Sequence, residues 1–421
     1  MLGSSAFKGE FRWAALAASA LLLAACNGEI GDVPGGEGGG SSGGLEGGQG
    51  GQGGQGGGPG SGGQGGQGGQ GGGSVDPTLV PMFVAQGHAG RTIISCDDGM
   101  TWVGNRSDDD AYPCFSDAPH DCDHHPGAGR GIDYGNGYFV ATFGWGKPGS
   151  IRRSKNGVDW EPVLEGKTFA GIAFDGTVFL AGERPPQVSD GSGAMWAPGG
   201  DLDSPVWNTR RTGFAPHDGG RFLIAFGGNE GNDLNVSKDR GATWARPTTL
   251  PGACAGDIQW SGGFAYGNGV IVVLGGTGVA CRSLDGGDTW TQSDIGGKVD
   301  ARLLWNGDAF VTWGRDASYD SMRYTSPDGA DWTATPIEVR KKNPDGTTQT
   351  GPGPIIGAVN RSDKGTYVAV HGGWGDWYEK QRFYRSTDGV TWDELPAGSF
   401  VGSHPVQFIV HGLGEKSAVC P

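Results

Sequence analysis

The chain has 421 residues, of which 87 are glycine, and its formal net charge is −15 at pH 7. An acidic protein repels both the phosphate backbone of nucleic acids and anionic lipid head groups, and no run of lysine or arginine offers a local exception. We therefore expect no nucleic-acid partner.

The N-terminal segment is organised like an export signal. Lys8 and Arg12 precede an apolar run over residues 13–25, and Cys26 follows. As a helix, this run would rise only about 20 Å, too little for a hydrocarbon core of roughly 30 Å. Residues 23–26 resemble the bacterial lipobox, which implies removal of residues 1–25 and acylation of Cys26. The alternative is ordinary cleavage near Ala25, which would leave Cys26 as a free thiol.

Residues 26–75 are predicted to be a lipid-anchored, disordered linker. From Gly31 to Ser74 the sequence is almost entirely Gly, Gln and Ser, with too few apolar side chains to offset the entropy of ordering the chain. A glycine-rich coil of this length has a root-mean-square reach of roughly 35 to 40 Å. Asn27 and the long linker favour the outer membrane over the inner one.

A repeated turn organises residues 76–421, the one predicted folded domain. The frame is Ser-x-Asp-x-Gly-x-Thr-Trp, and three copies are one residue shorter; we call the seven copies the repeat turns. They cover residues 95–102, 154–160, 189–196, 237–244, 283–290, 326–332 and 386–392. The copy at 189–196 keeps Ser189, Gly193 and Trp196 but has lost the aspartate of the frame.

The repeat turns resemble the Asp box of the BNR, or sialidase-type, β-propeller repeat. The resemblance implies an all-β fold with a single seven-bladed propeller, one repeat turn to each blade. It also implies a structural role for the aspartates, because a short carboxylate accepts backbone N–H bonds in a tight turn while glycine takes a positive φ. The aspartates concerned are Asp97, Asp239, Asp285, Asp328 and Asp388. A catalytic or calcium-binding role is the alternative, and it would need the same ligands in every blade.

Most repeat turns follow a pair of apolar strands joined by a tight turn, as in residues 131–144 and 263–276. Each blade is therefore expected to run strand A, turn, strand B, loop, strand C, repeat turn and strand D. The first blade lacks a strand A before residues 82–86. Residues 405–411 form an apolar strand without a blade, so we expect this C-terminal strand to complete blade one and close the ring.

Six cysteines follow Cys26, and an even number in an exported protein favours disulfides. The expected strand order places Cys96 and Cys420 together at the repeat turns. It pairs the remaining cysteines at the opposite face, Cys114 with Cys122 and Cys254 with Cys281. Free thiols or zinc ligation are the alternative, although no Cys-x-x-Cys spacing occurs.

Candidate binding residues belong to loops on the face opposite the repeat turns, which we call the upper face. The longest such loop, residues 106–129, contains His120, Asp121, Asp123, His124 and His125. Adjacent His124 and His125 do not readily point at one ion, so we predict a ligand-contacting loop and no metal; a metal site is the alternative. Further candidates are Arg130, Trp145, Lys147, Arg184, Arg315 with Tyr319, His371, Trp374, Asp376 and Trp377. Exposed aromatic rings beside carboxylates suit sugar stacking, and packing of the loops onto the blades is the alternative.

No catalytic signature is apparent, so the catalytic residues stay unassigned. A sialidase needs an arginine trio, and Arg130, Arg211 and Arg315 cannot be assigned to one from sequence. Another glycosidase would need two carboxylates across a cleft. The candidates for that pair are Asp123, Asp233, Asp316, Asp376 and Glu379.

We therefore expect a monomeric cell-envelope protein, without a cofactor, whose upper face binds a glycan or a protein partner. The runner-up is a sialidase-like or other glycoside hydrolase. The third hypothesis is a factor for the assembly or stability of membrane complexes.

Overall fold

A computed structural model describes the folded part of the chain. The described residues are 76–87, 90–106, 128–144, 149–167, 169–202, 216–217, 221–226, 233–254, 263–343, 345–353, 355, 357–371, 382–395 and 406–421. The predicted signal, Cys26 and the linker up to residue 75 lie outside them.

The described residues form a propeller-like ring of mainly antiparallel sheets and contain no α-helix. The all-β fold class is therefore confirmed. Six sheets have four or more strands and form complete blades, so the described residues show six blades and the predicted number of seven was wrong. The fourth sheet in chain order has only three strands within the described residues.

The first four sheets take up the N-terminal half of the ring. The first contains β1 (Leu79–Gly87), β2 (Thr92–Ser95), β3 (Val103–Arg106) and the last strand of the chain, β30 (Val406–Glu415), in the order β3-β2-β1-β30. The second contains β4 (Ala128–Gly135), β5 (Tyr138–Gly144), β6 (Ser150–Ser154) and β7 (Glu161–Glu165). The third contains β8 (Ile172–Phe174), β9 (Phe179–Ala181), β10 (Gln187–Ser189) and β11 (Trp196–Pro198). The fourth contains β12 (Pro216–His217), β13 (Arg221–Phe226) and β14 (Asp233–Ser237).

The last three sheets follow, two of them larger than a simple blade. The fifth contains β15 (Phe264–Gly267), β16 (Val270–Leu274), β17 (Val279–Ser283) and β18 (Thr291–Asp294). The sixth contains β19 (Lys298–Val299), β20 (Leu304–Trp305), β21 (Phe310–Arg315), β22 (Ser321–Ser326) and β23 (Thr333–Pro336), with β19 and β20 both paired to β21. The seventh contains β24 (Glu338–Lys342), β25 (Thr348–Gly351), β26 (Ala358–Arg361), β27 (Tyr367–His371), β28 (Arg382–Ser386) and β29 (Thr391–Glu394). Its hairpin β24–β25 adds to the outer edge, because β24 pairs with β29 in parallel.

The second strands of the second, fifth and sixth sheets are almost entirely buried. All of β16 is buried, as are all residues of β5 except the first and all residues of β21 except the last. Neighbouring sheets cover both faces of these strands, which explains why they read as continuous apolar runs rather than as an alternation. The core therefore lies between the sheets, as where Val140 and Ile151 of the second sheet join Phe174 and Phe179 of the third.

Hydrogen bonds close each repeat turn from within. In the first turn, Ser95 Oγ accepts the N–H of Gly99 at 2.9 Å and Asp97 Oδ1 accepts the N–H of Thr101 at 2.8 Å. The indole of Trp102 donates to the carbonyl of Gly99 at 3.2 Å. The same serine–glycine bond, at 2.8 to 2.9 Å, closes the turns of Ser154, Ser237, Ser283, Ser326 and Ser386. All five aspartates of the frame accept backbone N–H bonds, in accordance with a structural role.

The repeat turn at 189–196 lacks the aspartate of the frame, where Gly191 stands, but Asp190 takes over its role. Asp190 Oδ1 accepts the N–H of Ala194 at 2.9 Å. Ser189 Oγ instead accepts the N–H of Phe179 at 2.9 Å. The carboxylate reaches the amides of the turn from a position one residue earlier, which a fixed sequence frame does not detect.

A glycine in the repeat turn lets the turn touch the second strand of the preceding sheet. A Cβ on Gly329 of the sixth sheet would lie 2.4 Å from Val272 of β16. A Cβ on Gly99 of the first sheet would lie 2.6 Å from Val368 of β27, in the seventh sheet. The repeat-turn glycines with such a contact are Gly99, Gly157, Gly193, Gly241, Gly329 and Gly389, and each has a positive φ. One contact thus recurs around the ring and also joins the first sheet to the last.

Arginines reinforce the same junctions. Arg282 of β17 lies just before the serine of its own repeat turn, and its Nη1 is 2.7 Å from Asp328 Oδ2 in the repeat turn of the sixth sheet. Arg385 of β28 has the equivalent position and donates to Asp98 of the first sheet, at 2.8 Å to the carbonyl and 3.2 Å to Oδ2. The first and seventh sheets are therefore joined in the same manner as two sheets that follow each other in sequence.

Both ends of the described chain meet in the first sheet. β30 pairs with β1 from Leu79–Glu415 to Gly87–Val406, and the predicted strand 405–411 falls largely within it. A disulfide joins Cys96 to Cys420, and another joins Cys254 to Cys281. These two predicted pairs are confirmed, whereas Cys114 and Cys122 lie outside the described residues.

The fourth sheet lacks the strand expected after its repeat turn. Val236 of β14 pairs with Ala245 in an isolated bridge only. Pro247 follows and has no N–H to continue the ladder. The N–H of Thr248 instead donates to the carbonyl of Asp288 at 2.8 Å, so the segment leaves its own sheet for the next repeat turn.

The contact between Gly329 and Val272 predicts a packing cost in the free energy of unfolding. This cost can be separated from the cost of a left-handed backbone. Gly329 and Gly137 have φ values of +76° and +82°, but a Cβ on Gly137 would meet nothing within 4 Å. Gly137→Ala should cost about 1–2 kcal/mol in the free energy of unfolding, from backbone strain alone. Gly329→Ala should cost a further ~1–3 kcal/mol, because its methyl group would collide with Val272. Urea unfolding of the two variants measures the difference, and equal losses would show that the junction is loosely packed.

Candidate functional site

Strand direction assigns three predicted residues to the upper face. β4 begins shortly before Arg130, β21 ends at Arg315 and β27 ends at His371. β5, β21 and β27 each begin opposite the serine of their own repeat turn. Arg130, Arg315 and His371 therefore lie at the ends of their sheets away from the repeat turns.

Many other predicted site residues fall on segments that the structure does not describe. They are His120, Asp121, Asp123, His124, His125, Trp145, Lys147, Arg211, Trp374, Asp376, Trp377 and Glu379.

The turn after β21 holds an exposed aromatic ring. Asp316 Oδ1 accepts the backbone N–H bonds of Ser318 and Asp320, both at 2.9 Å, and the N–H of Tyr319 donates to the carbonyl of Asp316 at 3.1 Å. Tyr319 has a φ of +67° and is 66% exposed. A bulky residue rarely adopts this left-handed conformation, so the turn presents the ring at a cost in backbone strain.

Two cations lie over this ring. Lys298 Nζ and Arg315 Cζ each lie 5.8 Å from the centroid of the Tyr319 ring. Arg315 is fixed by Asp300, whose carboxylate oxygens are 2.6 Å from its Nε and 2.8 Å from its Nη2. Hydrogen bonding to Asp300 also raises the pKa of Arg315 above its ordinary value. We call residues 298, 300, 315, 316, 319 and 320 the Tyr319 site.

Tyr324 adjoins the Tyr319 site from within the sheet. Its side chain is fully buried, and its hydroxyl has no hydrogen-bond partner among the described residues. A Cβ on Gly297 would lie 1.9 Å from Tyr324 Oη and 2.5 Å from the carbonyl oxygen of Arg315. Burial, followed by the negative charges of Asp316 and Asp300, raises the pKa of Tyr324 above its ordinary value. Only a glycine at 297 allows this close approach.

Asp133 and Arg302 form a second charged feature. Asp133 lies in β4 and accepts backbone N–H bonds from Tyr134 at 2.9 Å and from Phe174 of the third sheet at 2.7 Å. Burial raises the pKa of Asp133 to about 6, although these bonds and the charge of Arg302 oppose the shift. Burial likewise lowers the pKa of Arg302, and the charge of Asp133 opposes that shift. The charge of each residue therefore opposes the effect of burial on the pKa of the other.

Glu183, just after β9 on the upper face, is the third feature. Its Oε2 is shielded from solvent and has no hydrogen-bond partner among the described residues. Burial raises the pKa of Glu183, while the N–H of Arg184 and the charge of Lys167 oppose this. A carboxyl group with a raised pKa can act as a proton donor.

The sequence points to Arg315 and Tyr319 but not to Asp133, Arg302 or Glu183. A signal for Asp133 was available, because a carboxylate between apolar residues in a buried strand needs a partner. Its partner Arg302 is far away in sequence, and only the ring brings the two into electrostatic contact.

Among the described residues, no group of three or more His, Cys, Asp or Glu side chains is arranged to hold a metal ion. The histidine-rich segment 120–125 lies outside the described residues. The same part of the chain contains no helix with the length and apolar character needed to cross a membrane.

Asp133 should make the stability of the domain depend on pH in an unusual direction. Its pKa is about 6 in the folded protein against an ordinary 3.8, so the folded state binds its proton more tightly. The contribution of Asp133 to stability should therefore rise as the pH falls from 7 to 4, by on the order of 2–3 kcal/mol. Asp133→Asn removes the titration, and chemical unfolding across this range should show the difference between the variant and the wild type changing with pH.

Asp308→Asn is the matched control, because Asp308 is an exposed aspartate on a turn. It shows the effect of removing one exposed carboxylate. A dependence on pH that is no steeper for Asp133→Asn than for Asp308→Asn would contradict the assignment.

No protein-family model matches the chain, and no curated protein matches it. Several solved structures are similar to it at low identity. YCF48 from Cyanidioschyzon merolae is 15% identical, with 66% of this chain and 86% of that chain covered and a TM-score of 0.41. The GH74 xyloglucanase from Xanthomonas campestris is 14% identical, with 75% and 52% covered and a TM-score of 0.43. A quinonprotein alcohol dehydrogenase-like protein from Bacteroides thetaiotaomicron is 8% identical, with 78% and 77% covered and a TM-score of 0.43. No activity or partner of these proteins is carried over to this chain.

Proposed function

We propose that this chain is an exported, lipid-anchored β-propeller whose upper face binds a glycan or a protein partner at the cell envelope. In this proposal Cys26 carries the lipid, residues 26–75 are a flexible linker, and residues 76–421 belong to the Asp-box family of propellers. Lipobox-like residues 23–26 and the composition of the linker support the anchor.

We further propose that the ring is closed by β30. The contact of Gly99 with Val368, the bond from Arg385 to Asp98 and the pairing of β30 with β1 support closure. A closed ring protects the inner strand edges from pairing with another chain.

The observation that carries the binding function is the exposed ring of Tyr319 on a braced turn of the upper face. Large apolar side chains that remain exposed on a folded domain often mark a contact surface. The turn is held by four hydrogen bonds around Asp316, and the neighbouring Arg315 is fixed by Asp300. A surface whose side chains are already fixed loses little entropy when it binds.

Glu183 favours glycoside hydrolysis as a second candidate function. Its shielded oxygen and raised pKa suit the general acid of a carboxylate pair. If this role is correct, Glu183→Gln should abolish any sugar release while leaving glycan binding intact.

The binding proposal is tested with residues 76–421 on a panel of glycans and a panel of envelope-protein ectodomains, with sugar release followed in the same samples. Binding with the glycans left intact, or binding to an ectodomain, is the expected result. Released sugar would instead show that the protein is a glycoside hydrolase. Failure to bind either panel would contradict the proposal.

The anchor is tested by Cys26→Ala in the full-length chain. Without its thiol the chain cannot be acylated, so the protein should move from the membrane fraction to the soluble exported fraction. Ser42→Ala in the linker is the control and should remain in the membrane fraction. Continued membrane association of Cys26→Ala would contradict the lipid anchor.

A further inference from the structure

The upper face carries one large exposed apolar side chain among the residues that the structure describes. The other exposed large apolar residues, Met100, Met195 and Leu284, belong to repeat turns at the opposite end, and Val103 directly follows one of them. A stable protein interface buries about 800 Å² on each partner, usually around several apolar anchors. A single ring surrounded by polar groups better suits a ligand of one or two sugar units.

The charges around Tyr319 exclude a strongly charged ligand. Lys298 and Arg315 are cationic, whereas Asp300, Asp316 and Asp320 are anionic. Positive and negative charges therefore lie close together on this surface. A carboxylated or phosphorylated ligand would meet aspartates, and a cationic ligand would meet Lys298. A neutral ligand with many hydroxyl groups can use both signs, because each hydroxyl donates and accepts a hydrogen bond.

We propose that the Tyr319 site binds a neutral pyranose unit of a glycan. The apolar face of the sugar stacks on the Tyr319 ring, exposed Lys298 donates to a hydroxyl, and exposed Asp320 accepts from one. This inference rests on the proposed binding function and names its ligand class.

The surroundings of Tyr319 keep the site in place before a ligand arrives. Asp300 binds Arg315 through two hydrogen bonds, which fixes the guanidinium in place over the Tyr319 ring. Gly297 brings the turn before Lys298 directly against the Arg315 carbonyl and the buried hydroxyl of Tyr324. The strained backbone of Tyr319, the ion pair of Arg315 with Asp300 and the close approach at Gly297 therefore all hold the surroundings of the ring in place. A tyrosine that is exposed by chance would need none of these features.

The test compares three tyrosine variants of residues 76–421. Tyr319→Ala removes the ring, and Tyr319→Phe keeps it. Tyr138→Ala is the matched control, because Tyr138 also lies beneath two cations, with Arg153 Cζ at 4.7 Å and Lys155 Nζ at 5.6 Å from its ring, but at the repeat-turn end of its sheet. Circular dichroism and thermal unfolding establish that each variant is folded.

The probes are neutral cello-, xylo-, manno- and chito-oligosaccharides, with oligogalacturonate as the charged comparison, and the readout is the dissociation constant by titration calorimetry. Tyr319→Ala should weaken binding of the best neutral oligosaccharide by about tenfold or more, whereas Tyr319→Phe and Tyr138→Ala should stay within about threefold of the wild type. Oligogalacturonate should bind more weakly than the neutral ligand.

Two failures are distinguishable. Unchanged affinity in Tyr319→Ala would overturn the assignment of the site while leaving glycan binding by the protein established. Binding of the wild type to an envelope-protein ectodomain but to no neutral oligosaccharide would overturn this inference and leave the proposed binding function standing.

Discussion

The bare glycine of the repeat turn is the constraint on which the rest of the structure depends. It does two things that no other residue can do at once, since it takes a positive φ and lets the turn contact the second strand of the preceding sheet. At Gly99 the same contact reaches Val368 of the last sheet. Serine and aspartate hold the turn around this glycine, which explains why all three recur together in the sequence.

The two ends of the sheets therefore have different roles. The repeat-turn end holds the sheets together, and the upper end carries the candidate binding site. At the repeat-turn end, turns, arginines and the Cys96–Cys420 disulfide are engaged in contacts between or within sheets. At the upper end, the connections are free to vary in length and composition because the ring does not depend on them. The strained, exposed Tyr319 belongs to that end, where strain is consistent with ligand contact rather than with stability.

Sequence repeats predicted the fold better than they predicted the site. The frame of the repeat turns located the buried second strands, the two confirmed disulfides and the return of the last strand to the first sheet. It missed Asp190, because a carboxylate can reach the same amides from a neighbouring position. It could not find Asp133 with Arg302, because their interaction crosses from one sheet to another. Local patterns encode each turn, whereas charge compensation depends on the assembled ring.

The most direct test of this account is a double-mutant cycle across the junction between the first and last sheets. Asp98→Asn and Arg385→Gln remove the charges of the pair, and asparagine tolerates the φ of +62° found at Asp98. The account predicts a coupling of about 1 kcal/mol or more in the free energy of unfolding, against a smaller value for the exposed pair Arg340 and Asp393 within the seventh sheet. A coupling near zero between Asp98 and Arg385 would contradict the claim that the repeat turns join the first sheet to the last.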